Sequence, residues 1–206
     1  MTPRIGTDTS AVSGSVAASM GDMTSNEVRL DDVTLVVRAR DGDIRAYEEL
    51  VARYQGPLFR LAVRMLASRG DAEDVVQEAF LTAWRKLAGL NEDAAFVSWL
   101  YRMVTNRCLN MIRDRHTTVD VDLTQRESRG PSSRPEHLVE VSEQLAAVTA
   151  ALQRLTGEQR ACWLLREVHG RSYEEIAQAV GVTTTAVRGR IARARAQLTE
   201  LMAPWR

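Results

Sequence analysis

The chain has 206 residues, enough for one or two small domains with a modest core each. Its 45% hydrophobic and 26% charged residues are ordinary for a globular protein; no apolar run approaches the ~18 residues of a membrane span, and no basic stretch followed by an apolar core marks a secretory signal, so membrane insertion is not expected and the expected compartment is the cytoplasm. Lys and Arg number 27 and Asp and Glu 27, so any nucleic-acid affinity must come from how charge is distributed and not from its sum.

Residues 1–31 are rich in Ser, Thr, Ala and Gly and carry few large apolar side chains; they cannot offset chain entropy by burial and read as a disordered tail. From Asp32 the pattern turns helical. Val33, Val36 and Val37, then Ile44, Tyr47, Leu50 and Val51, then Leu58, Leu61, Ala62, Met65 and Leu66 recur at spacings of three and four, punctuated by Gly42 and by Gly56-Pro57. Asp71 reads as the N-cap of a long amphipathic helix reaching Leu87, with Val75, Val76, Ala79, Phe80, Ala83 and Trp84 in its apolar stripe. After a loop at 88–93, another helix runs from about Ala95 to Arg113 and completes a first unit, residues 32–114.

Residues 115–136 lose the period and read as a flexible linker. A second unit, residues 137–203, follows. Leu145, Val148, Leu152 and Leu155 line one helix; Thr156 with Gln159 caps the next, whose core face holds Cys162, Trp163, Leu164, Leu165 and Val168; Ser172 with Glu175 forms a capping box for a third, ended by Gly181. A last helix runs from about Thr184 to Met202. No segment reads as a strand, so the fold class is all-α. Cys108 and Cys162 form no CxxC pair and the histidines make no ligand cluster with them; no metal or other cofactor is expected, and buried thiols are the simpler reading.

Residues 172–191 have the layout of a helix-turn-helix: Ile176, Ala177 and Val180 face inward, Gly181 turns, and Val182 and Val187 pack back. The second helix carries Thr184, Thr185, Arg188, Arg190 and Arg193 outward, and arginine suits both phosphate contact and bidentate reading of guanine in the major groove. Glycine within this helix, Gly189, costs about 1 kcal/mol against alanine, which close approach of a DNA backbone would explain.

Three strings narrow the reading. Asp71 to Trp84 (DAEDVVQEAFLTAW) resembles sigma-factor region 2.2, Phe96 to Asn110 (FVSWLYRMVTNRCLN) resembles regions 2.3 and 2.4, and Leu155 to Arg195 resembles region 4. Two such blocks joined by a short linker are similar to the extracytoplasmic-function subfamily, group 4 of the bacterial sigma-70 family. The resemblance implies a region 2 bundle and a region 4 helix-turn-helix that bind core RNA polymerase at the β′ clamp and the β flap and read the −10 and −35 promoter elements. The helix bearing Asp71, Asp74, Gln77, Glu78 and Leu81 would meet the polymerase. Trp99, Tyr101, Arg102, Asn106, Arg107 and Arg113 would meet the −10 DNA, with aromatic rings stacking on unpaired bases and Asn106 at a specificity position, although Trp99 is equally well explained by core packing. Thr184, Thr185, Arg188, Arg190 and Arg193 would meet the −35 duplex. The resemblance also implies an anti-sigma protein as partner. Here Thr183 to Arg190 (TTTAVRGR) replaces the Pro-x-Gly-Thr-Val-Arg-Ser-Arg pattern of many members, so their −35 sequences do not transfer.

The competing reading is a dimeric helix-turn-helix regulator that binds duplex DNA unaided. An enzyme is disfavoured, because the chain has no P-loop, nucleophile elbow, HExxH or glycine-rich dinucleotide fingerprint.

Overall fold

The computed structural model describes residues 30–119 and 139–203, and every regular element among them is helical, eight α-helices with short 3-10 and π turns. The expected tail and most of the expected linker, with its acidic Asp120, Asp122 and Glu127, lie outside the described residues.

Helix α1 (Asp32–Arg40) begins at Asp31, whose carboxylate accepts from the Thr34 N–H at 2.8 Å. It buries Leu35, Val36 and Ala39, whereas Val33 and Val37, which the spacing set on the inner face, are exposed. Helix α2 (Ile44–Leu66) starts at Asp43 and runs unbroken through Gly56-Pro57, where the sequence suggested an interruption. Pro57 removes one helical donor, but Leu50, Leu58, Leu61 and Met65 lie on one fully buried face that holds both halves in line. Helix α3 (Arg69–Lys86) begins earlier than expected. Ser68 is its N-cap, accepting from the Asp71 N–H at 3.4 Å, so Asp71 sits in the first turn and not at the cap. Helix α4 (Phe96–Val119) outlasts its expected end at Arg113: no glycine or proline stops it, and Arg115 ties its last turns to the Leu66 carbonyl and the Asp71 carboxylate.

The C-terminal helices follow the caps read from sequence. Helix α5 (Val139–Arg154) leads into α6 (Gly157–Trp163), which opens on a complete Thr156–Gln159 capping box. Helix α6 then widens into a π turn, Leu164–Val168, which leaves Val168 exposed and delivers His169 to the first unit. Helix α7 (Tyr173–Val180) opens on the Ser172–Glu175 box and closes at Gly181 with φ 73°, a left-handed conformation that favours glycine. Helix α8 (Thr184–Leu201) is capped by Thr183.

The two units share one apolar core. Helix α7 lies on α4, and the α5–α6 corner lies on the end of α2. There Arg160, 4% exposed, donates to the Met65 carbonyl of α2 and to the carbonyls of Leu152, Gln153 and Leu155, while Gln153 donates to the Arg64 carbonyl at 3.2 Å. Cys108 and Cys162 are buried in this core, and burial pushes their thiols up to about 12 and about 11. No metal-binding cluster is found among the described residues.

Candidate functional site

Three surfaces carry the residues singled out from the sequence. The first is a groove of about 870 Å³ between α2 and α3, floored by Tyr47, Val51, Phe59, Val76 and Phe80. On its rim Ile44 is 62% exposed, Leu81 50% and Trp84 38%, unusual for large apolar side chains. The Tyr47 hydroxyl donates to the Phe80 carbonyl at 2.6 Å and its ring packs on Trp84 with centroids 4.8 Å apart, so the aromatic wall is rigid. Burial pushes the Tyr47 phenol up to about 12, leaving it a donor at any ordinary pH. Gln77 and Leu81 line the groove, and Glu73 and Arg69 add polar edges. Of the acids expected on this face, Asp74 is exposed, Asp71 pairs with Arg115, and Glu78 pairs with Arg107 at 3.0 Å. The periodicity of α3 put Trp84 in the core; only the packing with α2 reveals it as part of an open wall.

The second surface is one stripe of α4. Trp99, Arg102, Asn106 and Arg113 recur at helical spacing, and Arg102, Asn106 and Arg113 are exposed. Arg113 donates to Asn110 at 2.8 Å, extending the polar stripe. Trp99 answers both readings made of it. One part packs on Phe96 at 6.3 Å, and the rest lines a depression of about 660 Å³ with Arg85, Lys86, Asn91 and Glu92. Arg107 turns away from the stripe toward Glu78. Tyr101, grouped with these residues by sequence, points elsewhere: it is 4% exposed, beneath the second unit. Its hydroxyl lies 3.2 Å from His169 Nδ1, the Arg171 guanidinium sits 4.5 Å from its ring centre, and beside it the Ser98 hydroxyl donates to Glu175 at 2.6 Å. An i, i+2 spacing cannot keep Trp99 and Tyr101 on one helix face, which is why the two separate.

This contact has a pH signature. Burial, then the charges of Arg64, Arg171 and Arg60, pull His169 down to about 4 from 6.5. His169 therefore faces Arg60 and Arg64 of α2, Tyr101 of α4 and Arg171 ahead of α7 as a neutral ring. Unfolding restores the ordinary value, so the unfolded chain binds a proton that the folded chain refuses. Stability is full above pH 6.5 and falls as the pH drops from there toward 4. The melting temperature of the wild-type chain is expected to fall more steeply between pH 7 and pH 5.5 than that of His169→Gln; parallel curves would refute the assignment.

The third surface is the helix-turn-helix. Thr185, Arg188 and Arg193 are exposed on α8 and Thr184 is half-buried at its start. Arg190, expected outward, is turned in: its side chain is 18% exposed and it pairs with Glu158 of α6. Arg195 pairs with Glu167 at 2.6 Å. A Cβ at Gly189 would meet only the Arg193 guanidinium, at 3.8 Å or more, so nothing within the described protein demands glycine there.

The family model for sigma-70 region 2 matches residues 50–118, and that for sigma-70 region 4 matches residues 145–198. The chain is 37% identical over 185 residues to the ECF RNA polymerase sigma-E factor of Escherichia coli K12, covering 85% of this chain and 96% of the relative. It is 35% identical over 182 residues to the RNA polymerase sigma-H factor of Pseudomonas aeruginosa, covering 84% and 94%. Among solved structures it is similar to CnrH in complex with the cytosolic domain of CnrY, with TM-score 0.65, 31% identity and coverage of 84% and 97%. The fold also matches the sigma factor RpoE of Bartonella quintana, solved with the anti-sigma factor NepR, with TM-score 0.62, 24% identity and coverage of 76% and 96%.

Proposed function

The chain belongs to the ECF RNA polymerase sigma factors of the sigma-70 family, and we propose that it serves core polymerase through the three surfaces described above. It is a transcription initiation factor and not an enzyme; the chemistry is the polymerase's. Group 4 is the assignment that fits, because residues 119–144 between the two matched spans are too few for a third folded domain.

The α2–α3 groove docks on the β′ clamp, supplying an apolar cleft with a rigid aromatic wall and, through Asp74, Gln77 and Glu78, a polar border for a basic partner. The acids are the border of this face and the groove is its centre. The α4 stripe takes the non-template strand at −10. Trp99 offers a ring beside a depression large enough for an unstacked base, Asn106 offers both a donor and an acceptor to the base edge, and Arg102 and Arg113 meet phosphates. Helix α8 enters the −35 major groove with Thr184, Thr185, Arg188 and Arg193, while Arg190 braces α8 on α6. A residue without a side chain at 189 suits close approach of the DNA backbone. The region 4 unit also meets the β flap, as the family resemblance implies.

The first unit, expected to end at residue 114, runs on to the end of α4 at Val119, the second includes α5 to α8, and the factor works where the polymerase is, in the cytoplasm. An anti-sigma protein is its expected inhibitor. A relative 31% identical to this chain, CnrH, is solved with the cytosolic domain of a second protein, which supports a protein partner for this chain too.

The observation that carries this reading is the α4 stripe, a half-buried Trp99 followed by exposed Arg102 and Asn106, beside its depression. The test is run-off transcription with bacterial core polymerase on genomic promoters, with start mapping. Specific transcripts are expected only with the factor present, and Asn106→Ala is expected to lower discrimination at one −10 base by roughly fivefold to a hundredfold, the ~1–3 kcal/mol of a good base contact. Unchanged −10 preference in Asn106→Ala would remove the α4 stripe from base reading.

A further inference from the structure

Three arginines of α8 are held in two different ways. Arg190 and Arg195 are paired with the carboxylates of Glu158 and Glu167. Arg188 has no acid at ion-pair distance among the described residues; its guanidinium lies 5.1 Å from the centre of the Tyr173 ring. The same ring carries a second guanidinium, Arg166, at 4.7 Å. Arg166 is fixed in turn by donating to the Arg171 carbonyl at 3.0 Å. Tyr173 is the first residue of α7, and its backbone is clamped by the capping box: the Ser172 N–H donates to Glu175 at 2.7 Å and the Glu175 N–H donates to the Ser172 hydroxyl at 3.1 Å.

These two ways of holding an arginine differ in what they leave free. A carboxylate consumes N–H donors and cancels the charge. An aromatic face attracts the cation through its quadrupole and leaves the N–H groups, which point outward in the guanidinium plane, available. An arginine meant to read guanine needs both its donors and its charge, together with a fixed orientation, because the bidentate contact is directional.

We propose that Tyr173 is a positioning residue for promoter recognition: its ring holds Arg188 in the orientation that reads a −35 base edge, without using the donors that do the reading. This rests on the assignment of Arg188 to the −35 duplex. The phenol oxygen has no part in it, so phenylalanine should serve and an aliphatic residue of similar bulk should not. Arg166, on the same ring, keeps a second positive charge beside Arg188 and favours the approach of an anionic backbone.

The test uses holoenzyme assembled from core polymerase and the full chain, selecting from promoter duplexes randomised through the −35 element. Arg188→Ala identifies the base position that Arg188 reads. Tyr173→Leu is expected to lower discrimination at that same position by about threefold to tenfold, the scale of a partly desolvated cation–π contact, with other positions unchanged. Tyr173→Phe is expected to stay within about twofold of wild type, and melting curves check that both variants fold. Three results would overturn the proposal: no change in Tyr173→Leu, an equal loss at every −35 position, or a defect in Tyr173→Phe as large as in Tyr173→Leu. If Arg188→Ala itself relaxed no position, the assignment of Arg188 would fall first, and the role of Tyr173 with it.

Discussion

Leu81→Asp is expected to weaken binding to core RNA polymerase by roughly 30- to 700-fold, the equivalent of about 2–4 kcal/mol for desolvating a carboxylate that has no partner in an apolar contact. Leu81 is 50% exposed on the groove rim, so a polar side chain there leaves the free protein folded; the cost arises on docking, when the introduced carboxylate would be carried into the interface beside Ile44 and Trp84. Trp84→Ala is expected to cost at least about 2 kcal/mol, as aromatic anchors at the centre of interfaces do. Leu81→Asp is the cleaner probe, because Trp84 also packs on Tyr47 and its loss loosens the wall. Glu78→Gln supplies the contrast. Glu78 is 58% exposed and already paired with Arg107, and a screened surface charge of this kind is worth little, so a change of no more than a few fold is expected. Titration of core polymerase with end-labelled variants, read by fluorescence anisotropy and accompanied by melting curves, decides the matter. Unaltered affinity in Leu81→Asp together with a large loss in Glu78→Gln would move docking from the groove to the acidic face of α3.

That contrast marks where the sequence is legible and where it is not. Spacing and capping are local, and they locate the helices well: both capping boxes of the second unit and the turn at Gly181 stand as read. Boundaries fail where a distant contact overrides local chemistry. Pro57 does not break α2 because the buried face on either side of it is continuous, and α4 runs past Arg113 because Arg115 is anchored on α2 and α3. The site residues divide in the same way. Arg102, Asn106, Thr185, Arg188 and Arg193 face outward as their helical positions imply. Arg190, Arg107 and Asp71 carry charges that look free in the sequence yet meet partners 29 to 44 residues away. Tyr101 departs from its expected place for a related reason: its covering comes from His169 and Arg171 of the other unit, a contact that no periodicity encodes. The groove, too, becomes visible only when α2 and α3 are set side by side.

The same contact between units sets the largest expected effect on stability. Arg160→Met is expected to destabilise the chain by about 3–5 kcal/mol, as breaking a buried ionic arrangement does, which lowers the melting temperature by on the order of 10 °C at this chain length. Arg160 is a charged side chain that is 4% exposed with no carboxylate beside it among the described residues, an arrangement that burial alone penalises; burial pulls its pKa down to about 10, still protonated at neutral pH. Its compensation is the backbone. It donates to Leu152 at 2.7 Å, to Gln153 and Leu155 at 3.1 Å each, and to Met65. Leu152 and Gln153 lie in the last turn of α5, and Met65 lies in the last turn of α2. Each helix C-terminus carries roughly half a negative charge, so the two converging ends together nearly balance one guanidinium. Methionine matches the apolar stem but supplies no donor, leaving four carbonyls without their partner and two helix ends facing each other unneutralised. Lysine keeps the charge but, with a single nitrogen, cannot reach carbonyls on both helices in the same fixed geometry; Arg160→Lys is therefore expected to recover only part of the loss. Melting curves for the three proteins test the ranking, Arg above Lys above Met. Equal stability of Arg160→Met and wild type would mean that the packing of the second unit on α2 is held by its apolar contacts alone, and the account of two helix ends neutralised by one guanidinium would fall.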